Sequence, residues 1–148
     1  MQISDILVPE RILCNPVTRS KKGALEELSR LIASANPSLT YMEIFDCLNA
    51  RERLGSTGLG NGIAIPHGRF KHIDAPVAAF LKLKSGIDFD ASDQKPVDLL
   101  FALLVPENST DEHLQILSKL AEMFSDGMLL RRLRMQSSPE KIYRLLTG

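Results

Sequence analysis

His67 stands directly after the apolar run Ile63-Ala64-Ile65, held between Pro66 and Gly68. At neutral pH an imidazole is largely uncharged and keeps one bare nitrogen. That nitrogen is a nucleophile when a carbonyl or carboxylate holds the other one as a donor. Upstream, "GSTGLGNG" sets glycines at 55, 58, 60 and 62. Glycines there let backbone N–H groups approach an anion closely, as in a nest. This is a place for a phosphate beside a histidine. It is equally a turn histidine at the end of a strand, with glycines chosen for positive φ.

His113 is the second candidate. The stripe His113, Leu117, Leu120, Phe124 has spacings of four, three and four, so the ring lies on the inward side of a helix, in its first turn. A helix N-terminus attracts anions through its free N–H groups and its dipole. Alone, such a histidine more simply caps the core. Beside His67 it becomes a second site histidine. Arg51 is the third. A guanidinium holds phosphate oxygens with two N–H groups, a geometry that lysine lacks. An arginine in a last helical turn also serves the helix dipole. Arg53 has the same local qualities, and spacing alone does not separate the two.

These side chains need elements to position them. "RILCN" (11–15) reads as a short strand. "KKGALEELSRLIASA" follows as a helix on Leu25, Leu28, Ile32 and Ala35. The next helix opens at Thr40 with Glu43 as a capping box, carries the stripe Tyr41, Phe45, Leu48, and stops at Gly55. Strands are expected at Ile63–Pro66, Val77–Lys84 and 97–106. The last is apolar almost without alternation, as in a central strand covered on both faces. Ser109 and Glu112 form a second capping box, opening a helix that runs to about Ser125. "MLLRRLRM" and "PEKIYRLL" are two further helices, the latter with Pro139 at its first position after Ser138. The order is β-α-α-β-β-β-α-α-α, an α/β chain with a sheet covered by helices on both sides.

Length and composition limit the function classes. The 148 residues are expected to form one domain, 1–148. With 18 basic and 18 acidic residues, the net charge is zero, so neither nucleic acid nor an anionic membrane is favoured as partner. Cys14 and Cys47 have no metal-type spacing and suit a reducing compartment. The N-terminus lacks the marks of a signal peptide, and no stretch is long enough for a membrane helix, which points to the cytoplasm. No Gly-Lys-[Ser/Thr] completes a Walker A loop, no G-x-G-x-x-G register occurs, and no G-x-S-x-G marks a serine hydrolase. The three histidines lack the spacing of metal ligands. His72 falls in a polar loop, and Arg131, Arg132 and Arg134 are expected on a solvated helix face. Glu107, Asp111 and Glu112 surround the approach to His113 and favour the helix start.

The stretches "RERLGSTGLGNGIAIPHGR", "PVDLLFALLVP" and "EHLQILSKLA" resemble the type-2 enzyme IIA domains of the bacterial phosphoenolpyruvate-dependent phosphotransferase system, with the nitrogen-regulatory form the nearest match. The resemblance implies a three-layer α/β/α fold with a central mixed sheet. It implies that His67 is the phosphoryl acceptor, as a tele-phosphohistidine, charged by the phosphohistidine of an HPr-like carrier that enzyme I charges in turn. His113 matches a second histidine that supports the phosphate. Arg51 matches the arginine that clamps it. The loop residues Gly55, Ser56, Thr57, Gly58, Gly60, Asn61, Gly62 and Gly68 would surround the phosphate. No cofactor and no metal is implied. The expected function is a phosphocarrier and regulator whose phosphorylation state selects partners such as potassium transporters or sensor kinases. A IIA component of a fructose–mannitol-type permease, passing phosphate to a IIB domain, shares the same motifs; the lack of a fused IIB or membrane segment leans toward the regulator. A binding module of the same fold without phosphotransfer is the third possibility.

Overall fold

The computed structural model describes residues 1–148, apart from the side chains of Thr110 and Glu112. Two 3-10 turns, Ile3–Asp5 and Pro9–Arg11, lead into β1 (Ile12–Cys14). Then come α1 (Lys21–Ala33), α2 (Tyr41–Arg53), β2 (Gly58–Gly60), β3 (Ile63–Ala64), β4 (His67–Phe70), β5 (Val77–Ile87) and β6 (Val97–Pro106). Helices α3 (Thr110–Met123), α4 (Gly127–Arg134) and α5 (Pro139–Thr147) close the chain. The sheet order is β1-β5-β6-β3-β2, with β4 also on β6. Parallel pairs (β1–β5, β3–β6, β4–β6) mix with antiparallel ones (β5–β6, β2–β3).

One face of the sheet packs Leu81, Leu100, Ala102 and Leu104 against Leu25, Leu28 and Ile32 of α1 and Ile44 and Leu48 of α2. The other packs Phe80, Leu99, Phe101 and Leu103 against Ile116, Leu120 and Phe124 of α3, Leu130 and Leu133 of α4, and Ile142 and Leu146 of α5. The result is an α/β/α sandwich. Alternate residues of β6 enter opposite cores, which is why its sequence is apolar without alternation.

The expected single strand at Ile63–Pro66 is replaced by β2, β3 and β4. Pro66 lacks an N–H and interrupts the ladder. Its carbonyl still accepts from the Leu103 N–H at 2.9 Å. The register Ile63↔Leu99 therefore carries on as His67↔Leu103, and the chain continues as strand to Phe70. His67 begins a strand rather than following one. Upstream, Asn61 and Gly62 have φ of 58° and 82° and join β2 to β3 as a two-residue hairpin turn.

Other expectations shift by small amounts. In α2 the buried stripe is Ile44 and Leu48, with Tyr41 and Phe45 only half-buried. Ala35 lies beyond the end of α1 and is exposed. Thr40 caps α2 by accepting from the Glu43 N–H, and its hydroxyl donates to the Glu43 carboxylate at 2.8 Å. Ser109 makes no side-chain cap, and the Glu112 half of the expected box lies outside the described residues. Arg131 and Arg132 are exposed as expected. Arg134 is not a solvated residue. Its guanidinium pairs with Asp98 at 2.9 Å and donates to the Asn61 carbonyl, tying α4 to the hairpin turn.

A Cβ on Gly62 would meet that same guanidinium and come within 2.8 Å of Asp98 Oδ1, at a φ that side chains rarely adopt. Gly62→Ala is expected to lower stability by about 1–2 kcal/mol. The urea midpoint measures it, and an unchanged midpoint would contradict the close approach.

Candidate functional site

His67 is half-buried at the start of β4. Its Nδ1 lies 2.7 Å from the Ile65 carbonyl oxygen. A carbonyl only accepts, so Nδ1 carries the proton and donates. Nε2 is left bare. Burial pushes the pKa of this ring below the ordinary histidine value, with the Arg51 charge acting in the same direction; the Ile65 carbonyl and Glu52 push it up. The net result is a neutral imidazole at pH 7 with its lone pair on Nε2.

His113 lies in the first turn of α3 with its edge to the His67 ring, the centroids 5.2 Å apart and the planes at 62°. It is only 8% exposed, and its Nδ1 has no hydrogen-bond partner among the described residues. Burial lowers its pKa, a proton on neighbouring His67 would lower it further, and the charges of Arg69 and Arg51 act in the same direction. Arg51, in the last turn of α2, donates from Nη1 to the Gly55 carbonyl at 2.9 Å, which fixes the side chain while leaving guanidinium donors for a ligand. His67, His113 and Arg51 line one open pocket of about 770 Å³ between α2 and the outer edge of β4. Arg53 is exposed and does not line it, so the structure separates the two arginines where spacing did not.

The glycine loop is placed differently from the expectation. Of Gly55, Ser56, Thr57, Gly58, Gly60, Asn61, Gly62 and Gly68, only Gly68 lines the pocket. Gly55 contributes the carbonyl that holds Arg51. The Thr57 N–H donates to the Glu52 carboxylate, Gly58 N–H to Ser56 Oγ, and Asn61 N–H to Asp93 Oδ2. These donors serve the protein itself and form no nest around His67. Gly60, Asn61 and Gly62 shape the β2–β3 turn near Asp93, Asp98 and Arg134. Gly68 gives space to a helix: a Cβ there would sit 2.7 Å from Cys47 Sγ of α2.

Two charged residues near His67, Arg69 on the pocket and Glu52 behind it, were among those not anticipated. Arg69 follows His67 by two along β4, so both side chains leave the same face of the strand. The signal was present in the sequence but hidden by ending the strand at Pro66. Glu52 is a buried carboxylate four residues after Leu48, in line with the buried stripe of α2, and its charge is what hid it from a reading of apolar positions. Glu107 lines the pocket, whereas Asp111 is exposed. His72 lines the pocket too, 3.8 Å from Glu43. Among the described residues, no group of three His, Cys, Asp or Glu could hold a metal, and no helix is long and apolar enough to cross a membrane.

A neutral histidine with an unshielded Nε2, in a cationic field and open to solvent, can accept an electrophilic group from outside. Residues 5–148 match the family model described as the phosphoenolpyruvate-dependent sugar phosphotransferase system, EIIA 2. The chain belongs to that family. Within it, the sequence is similar to the nitrogen regulatory protein of Pseudomonas aeruginosa, 45% identical over 146 residues, 99% of this chain and 95% of that protein. The crystal structure of nitrogen regulatory protein IIA-Ntr from Neisseria meningitidis superposes with a TM-score of 0.92 at 45% identity, covering 98% of this chain and 99% of that one. A complex of IIA mannitol with phosphorylated IIB mannitol from Escherichia coli shares the fold, with a TM-score of 0.79 at 20% identity over 96% and 97% of the two chains.

The lowered pKa values have a consequence for acid stability. Both rings bind a proton less readily folded than unfolded, so the unfolded state holds more protons between the two pKa values. Their contribution to stability is complete above the ordinary value of 6.5 and is lost as pH falls below it. A urea midpoint that drops through this range in the wild type, and drops less in the His67→Ala and His113→Ala variants, is the expected result.

Proposed function

We propose that this chain is a cytoplasmic phosphocarrier of the nitrogen-regulatory branch, taking a phosphoryl group on Nε2 of His67 from an HPr-like phosphohistidine protein. The observation that carries the reading is the bond from His67 Nδ1 to the Ile65 carbonyl, which leaves Nε2 as the nucleophile. In the step, the Nε2 lone pair attacks phosphorus, and the donor's phosphorus–nitrogen bond breaks, its electron pair returning to the donor ring. No proton needs to leave His67, because Nδ1–H stays on the carbonyl. His113 and Arg51 face the phosphoryl oxygens with N–H donors, which suits a transition state whose charge lies on those oxygens. The open pocket and the 85% exposed Leu54 on its wall support transfer to and from another protein rather than a buried small substrate. The phosphorylation state would then select regulatory targets.

Incubation with phosphoenolpyruvate, enzyme I and an HPr-type carrier, followed by intact mass, tests the reading. A gain of one phosphoryl group is expected; no gain would overturn it. The second reading, a IIA component that charges a IIB domain, is favoured by the shared fold with the IIA mannitol chain seen with phosphorylated IIB. Transfer from the phosphorylated protein to a mannitol- or fructose-type IIB would support that alternative.

Arg51→Lys keeps the charge but loses the two-pronged donor. Its phosphoryl acceptance is expected to slow about fivefold, the worth of one hydrogen bond. Arg53→Lys should behave as wild type in the same stopped-reaction assay. The reverse order would reassign the clamp.

A further inference from the structure

Glu52 is unusual for its neighbourhood: a carboxylate 6% exposed, one residue from Arg51. It accepts from the Thr57 N–H at 3.2 and 3.1 Å and from the Thr57 hydroxyl. Lys21 Nζ stands 3.0 Å from its Oε1. The Lys21 ammonium also lies over the Phe89 ring and donates to the Phe89 carbonyl, which accepts the Ser56 hydroxyl as well. A buried charge with every partner in place is stiff, because each bond gains strength in the low local dielectric. Thr57 is therefore fixed at both its N–H and its hydroxyl.

From Thr57 the bonds lead on to the candidate site. The Thr57 carbonyl accepts from the Ile65 N–H at 3.1 Å. The Ile65 carbonyl in turn accepts from His67 Nδ1 at 2.7 Å. Ile65 sits between β3 and β4, beside the residue whose missing N–H breaks the ladder, so the sheet alone holds this peptide weakly. The bond to Thr57 supplies the missing restraint.

We infer that Glu52 is a positioning residue: through Thr57 and the Ile65 peptide it holds His67 in the tautomer with Nδ1 protonated and Nε2 bare. A free imidazole favours the opposite tautomer, with the proton on Nε2, where no lone pair is available for attack. The consequence for transfer rests on the reading of His67 as acceptor; the tautomer itself does not.

The test is nitrogen-15 NMR of the His67 ring in the full chain at about pH 8, where both histidines are neutral and only the tautomer is read. Wild type should show the Nδ1–H form. Thr57→Ser, which keeps the hydroxyl, should match it. Thr57→Val, which removes only the hydroxyl bond, should show a mixture, and Glu52→Ala a larger share of the Nε2–H form. Phosphoryl acceptance should fall in the same order, about fivefold for Thr57→Val, the worth of one hydrogen bond. The same Nδ1–H population in all four proteins would overturn the inference. If Glu52→Ala fails to fold, the comparison of Thr57→Val with Thr57→Ser decides alone. A wild type that accepts no phosphoryl group would sink the phosphocarrier reading while leaving the tautomer result standing.

Discussion

The His67→Ala protein is expected to gain no phosphoryl mass when incubated with phosphoenolpyruvate, enzyme I and an HPr-type carrier. The loss should be complete rather than partial. His113 is not expected to replace His67: both line the pocket, but the His113 residue is only 8% exposed whereas His67 is half-buried. His72 also lines the pocket, with its Nε2 3.8 Å from the Glu43 carboxylate. In the wild type, the bond formed should be labile in acid and stable in base, as a phosphorus–nitrogen bond requires. An acid-stable product would shift the acceptor to a hydroxyl, with Ser56 or Thr57 the nearest in sequence. Full labelling of His67→Ala would move the site altogether. The fold should survive, since the β4–β6 ladder uses backbone groups that alanine retains.

The second large effect is expected at His113. His113→Ala should still accept a phosphoryl group, but about ten- to a hundredfold more slowly. The estimate takes one charge-assisted contact to the phosphoryl oxygens, roughly 1.5–3 kcal/mol, off the transition state. Such a contact strengthens as negative charge moves toward it. Return of the group to the carrier should slow as well, because the same transition state is crossed in both directions. The α3 start should persist, since the His113 N–H donates to the Ser109 carbonyl whatever the side chain. Circular dichroism should therefore remain native. Wild-type rates in both directions, or labelling of His113 while His67 is free, would count against this role. The ring's unpartnered Nδ1 is the structural feature to follow: a new bond to it in the phosphorylated protein would show as a shift of that nitrogen.

The sequence by itself determined the elements whose signals are local. The Thr40 and Ser138 caps, the apolar stripes of α1 and the unbroken apolar run of β6 all name their structure within a dozen residues. The sandwich follows from them, because a strand apolar on both faces must be covered on both. The short motif around His67 also marked that histidine, and the inward stripe marked His113. Their meeting, with centroids 5.2 Å apart, was not local information: it depends on β4 running parallel to the end of β6, from which α3 departs.

Tertiary structure alone decided four further points. It resumed strand pairing beyond Pro66 as β4, in the same register on β6, because the Pro66 carbonyl remains paired with the Leu103 N–H. It thereby placed Arg69 beside His67. It folded the glycine loop into a hairpin, with the Thr57 and Asn61 N–H groups taken by carboxylates hidden in a helix or remote in sequence, Glu52 and Asp93. It set Arg51 on the pocket and left Arg53 outside it, since the neighbours of α2 decide which side of the helix faces His67. Glu52 falls four residues after Leu48 on the buried stripe of α2, yet its charge concealed its burial. A charged residue in an amphipathic helix reads as surface, and only the partners brought by other segments, Lys21 and Thr57, make its burial affordable.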